Sequence, residues 1–271
     1  MSKQHAGLAP APDFPATSTA RDWQQHRAGL YKLPVQVDCP ECGGLGWLKD
    51  ERTRQAVRCQ TCTEPERRAW LVRHCGLEES QLDYSLDDWR LGEWEAGKQA
   101  AYQEQRRQAR GAMEQVIERR TGLLTLWGDF GSGKTLALQI VTNELRGRLV
   151  ESYYVPLAFV LDHLRELYAQ AVEWSDYWQR LLDVPCLCLD EVTRFYETDW
   201  AVERLWMLMD KRYQRRTSHL TVLATNNDPR QRLPTSEAIG YLYSRCRQGT
   251  LVELRGDMRA AAPGDRRAEK G

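Results

Sequence analysis

From Leu123 to Thr225 the chain alternates short apolar runs with helical patterns. LLTLW at 123–127, ESYYVPL at 151–157, CLCLD at 186–190 and HLTVLAT at 219–225 each have the length of a strand. These runs are apolar on both faces, and the stretches between them are long enough for helical crossovers. That combination predicts an α/β domain: a parallel sheet covered by helices on both sides. Residues 96–120, AGKQAAYQEQRRQARGAMEQVIERR, are rich in helix formers and carry Ala112, Val116 and Ile117 at helical spacing, which predicts one long helix. A helix from about Asp199 to Arg216 puts Val202, Trp206, Met209 and Tyr213 on one face as its expected core stripe. Residues 64–75, EPERRAWLVRHC, can also be helical.

The same pattern divides the chain. Residues 1–34, with Pro10, Pro12, Pro15 and Pro34 and little periodicity, read as an N-terminal arm. Residues 35–76 form a small Cys- and Gly-rich module, 77–120 a linker and helix, 121–260 the α/β domain and 261–271 a frayed tail. The chain has 271 residues, enough for one compact domain and a smaller module. With 38 basic and 38 acidic side chains, it is not coated for bulk nucleic-acid condensation, so partners must be argued from local sites. No window approaches the ~18 consecutive apolar residues of a membrane span, and Met1 to Thr19 lacks the apolar stretch of a secretory signal. The expectation is a cytoplasmic protein with no membrane partner.

Directly after the first strand comes Gly128-Asp129-Phe130-Gly131-Ser132-Gly133-Lys134-Thr135, a G-x-x-x-x-G-K-[ST] phosphate loop in strand, loop and helix context. Glycines let backbone N–H groups curl around a phosphate, the following helix offers its positive end, Lys134 bridges the β and γ phosphates, and Thr135 ligates Mg2+. The strand CLCLD ends in the acid pair Asp190-Glu191, 56 residues after Lys134. Asp190 is read as the second Mg2+ group and Glu191 as the residue that orients and polarises the attacking water. Cys186 and Cys188 alternate with leucines and read as small core residues. The next strand ends in Ala224-Thr225-Asn226-Asn227-Asp228, where Asn226 could contact γ-phosphate and water. A guanine reader would need Lys at the position of Asn227.

Cys39-x-x-Cys42 and Cys59-x-x-Cys62, sixteen residues apart, match a four-cysteine Zn2+ ribbon with a hairpin between the pairs. A closed thiolate site has no open position for water, so its role is structural; His74 or Cys75 as a replacement ligand and a redox pair remain open. Basic clusters at Arg106, Arg107 and Arg110, at Lys211, Arg212, Arg215 and Arg216, and at Arg266 and Arg267 read either as solvated faces or as a groove for a phosphate backbone. Trp174, Tyr177 and Trp178 read as packing or, less simply, as base-stacking groups.

The set GDFGSGKT, CLCLDE and ATNN, joined to MDKRYQRR at 209–216 and YSRCRQGTLVELRGDMR at 243–259, resembles the DnaC/IstB-type AAA+ ATPases, from about Leu82 to Arg259. The Arg212-Tyr213 pair and the LLDVP lead-in at 181–185 are similar to the family pattern. The resemblance implies an AAA+ (ASCE) P-loop NTPase core, with a lid truncated to the stretch between Asn226 and Arg259, 33 positions apart. It implies ATP hydrolysis, Arg245 as an arginine finger reaching a neighbouring subunit, and Arg259 as the sensor arginine of its own subunit, with Arg247 and Arg255 as competitors. It therefore implies a homo-oligomer. The function implied is a loader that delivers a hexameric replicative helicase on DNA, single-stranded DNA being favoured, with the N-terminal ribbon gripping the helicase. The alternative is an IstB-type ATPase that forms filaments on duplex DNA and regulates a transposase. A small-molecule P-loop kinase would need an acceptor pocket and an arginine-rich lid, and nothing between Gly133 and Asp190 resembles one.

Overall fold

The computed structural model describes residues 41, 47–49, 56–92, 96–169, 175–230 and 237–258, and the chain divides into two compact units, 1–73 and 74–271. In the first unit, β1 (Trp47–Lys49) and β2 (Ala56–Arg58) pair antiparallel, with Trp47 opposite Arg58. This is a hairpin within the spacer between the cysteine pairs. Helix α1 (Gln60–His74) begins immediately after Cys59, four residues before the helical pattern read at 64–75. Cys59 is buried, its Sγ 3.8 Å from Glu41 Oε2. Cys39, Cys42 and the side chain of Cys62 lie outside the described residues.

The second unit is built on five parallel strands, β3 (Gly122–Gly128), β4 (Ser152–Pro156), β5 (Cys186–Asp190), β6 (Leu220–Thr225) and β7 (Thr250–Leu254), in the order β4-β5-β6-β3-β7. Four of them are the apolar runs read from the sequence. The fifth, β7, escapes that reading because Thr250 and Glu253 interrupt its apolar positions: as an edge strand it buries only Val252 and Leu254.

Side chains alternate strictly across the sheet. Leu124, Leu126, Cys186, Cys188, Val222 and Ala224 join one core with α2 (Ala96–Arg119) and α3 (Lys134–Gly147). Leu187, Leu189 and Leu223 join the other, with α4 (Leu157–Ala169), α5 (Ser175–Asp183), α6 (Asp199–Gln214) and α7 (Glu237–Cys246). Burying a leucine contributes roughly 1.5–3 kcal/mol, so two covered faces explain why the central strands are apolar throughout. The cysteines of β5 are indeed small core residues. Helix α2 sends Met113, Val116 and Ile117 into the first core and so belongs to the second unit. Trp178 of α5 is buried in the second core and Tyr177 packs against it, whereas Trp174 lies outside the described residues.

Helix α6 departs from expectation. Its N-terminus is capped by Thr198 Oγ1, which accepts from the Ala201 N–H at 3.2 Å, and the buried positions are Ala201, Leu205, Leu208, Met209 and Arg212. Trp206, expected in the stripe, is 50% exposed and sits edge-on to Tyr241 with ring centroids 5.5 Å apart. Both flanks of the helix carry large apolar residues, and the sheet takes the Leu/Met flank.

Arg212 is a second correction. Read as a member of a basic surface cluster, it is fully buried. Its guanidinium donates to the carbonyls of Leu182 (3.1 Å), Val184 (2.6 Å) and Leu220, while Nε donates to Thr221 Oγ1 at 3.0 Å. One side chain thus satisfies the α5–β5 turn and the start of β6 together. Burial pulls the guanidinium down to about 10, still charged at neutral pH. Arg106 is likewise buried. Among the described residues, no helix is long and apolar enough to cross a membrane.

Replacing Arg212 by Ala removes these donors and leaves a cavity, so the folded state should lose roughly 3–5 kcal/mol. Arg216→Ala, at an exposed position, should change stability by less than about 0.5 kcal/mol. Urea unfolding followed by circular dichroism checks both.

Candidate nucleotide-binding site

Because β6 lies between β3 and β5, three strand ends stand side by side at one edge of the sheet. The phosphate loop follows β3, the acid pair closes β5 and Asn226 follows β6, which is the crevice where open α/β sheets bind ligands. There the structure brings Gly131, Gly133, Lys134, Thr135, Asp190, Glu191 and Asn226 around one cavity of about 410 Å³, together with Tyr84, Phe130 and Gln139.

The loop's path is fixed by glycine and by its carbonyls. Gly128 has φ 136°, and a Cβ there would lie 2.0 Å from the Leu254 carbonyl oxygen of β7. Gly133 has φ 96° and opens α3 without a side-chain cap, so the helix presents its first N–H groups and its positive end to the cavity. The Gly131 carbonyl accepts from the Met258 N–H at 2.9 Å, and the Ser132 carbonyl accepts from Arg106 Nη1 at 2.8 Å. Lys134 Nζ donates to the carbonyls of Gly128 (3.0 Å) and Asp129 (2.6 Å). Burial pushes its ammonium down to about 8, partly countered by Asp190, Asp129 and Glu191.

Asp190 is buried at the end of β5. Tyr154 of β4 donates its phenol to Oδ2 at 3.0 Å and the Glu191 N–H donates to Oδ1 at 2.8 Å. Burial and the adjacent carboxylate push the Tyr154 phenol up, so it stays a donor. Glu191 has φ 50°, a left-handed conformation that strains a non-glycine residue by about 1–3 kcal/mol. Its neighbours impose that turn: the Val192 N–H donates to the Ala224 carbonyl at 3.0 Å, and the hydroxyls of Thr193 and Thr225 lie 3.1 Å apart. The carboxylate pairs with Arg194 at 3.0 Å, on the solvent side.

A hydroxyl at Thr135 and a carboxylate at Asp190 on the wall of one cavity suit a hard divalent cation that keeps most of its water. Among the described residues, no group of three or more His, Cys, Asp or Glu that could hold a metal occurs. The donor set of Thr135 and Asp190 fits Mg2+ with a triphosphate.

The arginines fall elsewhere. Arg245 on α7 does not line the cavity of its own chain; its Nη2 donates to Asp210 Oδ1 at 2.9 Å, and its guanidinium stacks 4.6 Å from the Tyr213 ring and 4.8 Å from the Tyr241 ring. Arg247 donates to the Pro229 carbonyl at 2.8 Å, and Arg255 bridges Glu253 and Asp129 at 2.6 and 3.0 Å. Arg259, Arg266 and Arg267 lie outside the described residues, although Arg259 directly follows the loop-contacting Met258. Tyr154 and Arg106 were not legible as site residues, since only the pairing of β4 with β5 brings Tyr154 to Asp190 and only the packing of α2 brings Arg106 to Ser132.

A second cavity, about 400 Å³, is lined by Arg165, Tyr168, Tyr196, Thr198 and Trp200. Tyr168 and Tyr196 are 72% and 80% exposed, and the Arg165 guanidinium stands 5.3 Å from the Trp200 ring centroid. The segment carrying Tyr196 and Trp200 begins just after Glu191.

The sequence matches no protein-family model and no curated protein. Its likeness to known proteins is one of fold. Replication initiator DnaA bound to AMPPCP and single-stranded DNA superposes with a TM-score of 0.52 at 20% identity, over 65% of this chain and 51% of that one. A DnaI structure gives 0.51 at 22% identity, over 68% of this chain and 94% of that one. The DnaC helicase loader gives 0.51 at 16%, over 66% of this chain and all of that one (100%). The chain spans about half the length of the initiator structures it matches. With its parallel sheet, its strand order and these likenesses, the chain has the α/β AAA+ P-loop NTPase fold.

Proposed function

We propose that this chain is an ATP-hydrolysing helicase loader that assembles as a homo-oligomer on single-stranded DNA and delivers a hexameric replicative helicase. The observation that carries the reading is the convergence of Lys134, Thr135, Asp190, Glu191 and Asn226 on one cavity at the sheet edge. The initiator structures match as well in fold, but the DnaC loader and DnaI structures are covered to 100% and 94% of their chains against about half for the initiators, which supports the choice of loader.

The chain's own groups divide the work. Loop N–H groups and the start of α3 hold the phosphates, and Lys134 neutralises charge on the β and γ groups. Thr135 and Asp190 would hold Mg2+, which when bound supplies charge neutralisation across the phosphate oxygens. Glu191 orients the attacking water and takes its proton, and Asn226 fixes the water against the γ-phosphoryl group. Arg245, reaching a neighbouring copy, stabilises charge developing on the transferred group, so turnover depends on assembly; Arg259 serves its own subunit. To reach a neighbour, Arg245 must leave Asp210.

The exposed Tyr168 and Tyr196, with the partly buried Trp200 and Arg165 beside them, form a stacking surface of the kind that holds single-stranded DNA without reading its sequence, and we assign the DNA contact there. This replaces the basic clusters as the leading surface, because Arg106 and Arg212 are buried. In the N-terminal unit, Cys39, Cys42, Cys59 and Cys62 are proposed to hold one structural Zn2+, in a module that grips the helicase.

Lys134 sets a pH dependence. Its pKa in the folded chain is lowered to about 8, so the ammonium is charged below that value and lost above it. ATP affinity should be full near neutrality and fall as pH rises through about 8, by up to roughly tenfold per unit. Titration of a fluorescent ATP analogue from about pH 7.5 to 9.5 checks this, with Lys134→Met weak and flat.

Glu191→Gln should keep ATP affinity, lower turnover by roughly 10²- to 10³-fold and trap an oligomer on single-stranded DNA. Arg245→Ala should bind ATP but lose DNA-stimulated turnover, and Tyr196→Ala should release the DNA while sparing ATP binding. Affinity capture with the Glu191→Gln form and ATP from the native host should bring down a replicative helicase; a transposase in its place, or Glu191→Gln hydrolysing at the normal rate, overturns the reading.

Metal analysis should return one zinc per chain. Cys59→Ser should lose it and melt the N-terminal unit while ATP binding persists, as read by limited proteolysis and nucleotide titration.

A further inference from the structure

Arg106 sits behind the phosphate loop in a setting that neither hydrolysis chemistry nor surface charge explains. Its guanidinium lies 3.8 Å from the centroid of the Trp89 ring, and the Trp89 Nε1–H returns a hydrogen bond to the Arg106 carbonyl at 2.9 Å. Nε donates to the Arg90 carbonyl and Nη1 to the Ser132 carbonyl, the latter at 2.8 Å. Gly133 rests on the same pair: a Cβ there would be 3.2 Å from Arg106 Nη1 and 3.4 Å from Trp89 Cζ3. Both side chains are buried, and burial alone draws the guanidinium down to about 10, which leaves it charged at neutral pH.

The consequence follows from peptide geometry. In a trans peptide the carbonyl of residue 132 and the N–H of residue 133 point in opposite directions. With the Ser132 carbonyl drawn to Arg106 behind the loop, the Gly133 N–H is turned forward, to the side where Gly133, Lys134 and Thr135 line the cavity. Without that donor the carbonyl is a buried unpaired acceptor, and a peptide set between the positive-φ residues Gly131 and Gly133 can flip to find water. A flipped peptide would present oxygen, not N–H, to an anion.

We propose that Arg106, held flat by Trp89, is a positioning residue for nucleotide binding: it locks the Ser132–Gly133 peptide so that its N–H faces the β-phosphate. The proposal rests on the reading that this loop holds nucleotide phosphates. It assigns the segment between the N-terminal unit and β3 a part in ligand affinity, although among its described residues only Tyr84 lines the cavity. Lysine would not substitute, because one ammonium on a flexible stem cannot stack on the indole and span two carbonyls as a planar fork does.

The test compares ATP, ADP and AMP binding to the full chain, by competition against a fluorescent ADP analogue. Arg106→Ala should weaken ATP and ADP by roughly ten- to a hundredfold while leaving AMP unchanged. Added methylguanidinium, at a non-denaturing concentration, should restore ADP affinity to Arg106→Ala, and methylammonium should not. If Arg106→Ala does not fold, Arg106→Lys carries the test: weaker ADP binding at unchanged AMP affinity and unchanged thermal midpoint supports the proposal. ADP affinity equal to wild type in a folded variant, or ADP and AMP weakened by the same factor, overturns it. A wild-type chain that binds neither ATP nor ADP refutes instead the nucleotide reading on which the proposal rests.

Discussion

An anion-binding turn made of backbone works only while its carbonyl oxygens are kept away from the anion. Each peptide carries an acceptor opposite its donor, so every N–H aimed at a phosphate commits a carbonyl to the far side, where it must be satisfied. Here the carbonyls of Gly128 and Asp129 are met by Lys134 Nζ within the loop itself, and those of Gly131 and Ser132 by groups from other parts of the sequence, the Met258 N–H and Arg106. Asp129 adds a brace of its own, accepting from the Gly256 N–H and from Arg255. The loop is thus shaped from behind by α2 on one side and by the chain after β7 on the other, and the glycines supply the freedom that this shaping uses.

The same economy appears at Arg212. A buried guanidinium offers five donors in a plane, and in this fold it is used where carbonyls from separate elements meet, at the end of α5, before β5 and at the start of β6. The acid pair is organised differently. Asp190 is tied by Tyr154 and by the next peptide, whereas Glu191 is forced into a left-handed turn by contacts from its successors to β6. One carboxylate is anchored in the sheet edge while the other is turned outward on a strained hinge, a division suited to holding an ion with one and handling water with the other.

What was legible in the sequence was what depends on local pattern. Continuous apolar runs gave away four strands because both faces of the sheet are covered, and the glycine-lysine loop, the acid pair and Asn226 are marked by spacing alone. Strand β7 was not, because half of an edge strand faces solvent and its pattern dissolves into that of a loop. The buried flank of α6 was misjudged because Trp206 and Val202 are as apolar as Leu205 and Leu208, and only the docked sheet chooses between them. Arg106 and Arg212 were read as surface charges because residue type says nothing of the carbonyls that tertiary structure gathers around a guanidinium. Tyr154 reaches Asp190 only through the parallel pairing of β4 with β5.

The packing of Gly128 against Leu254 joins residues 126 positions apart in the chain. During synthesis, β3 and the glycine turn leave the ribosome long before the strand that closes over them. Until that last strand docks, the turn lacks its wall at Leu254 and its donors at Gly256 and Met258. The candidate nucleotide site is therefore among the final parts of the domain to mature, and a nascent chain would not be steadied early by a ligand bound there.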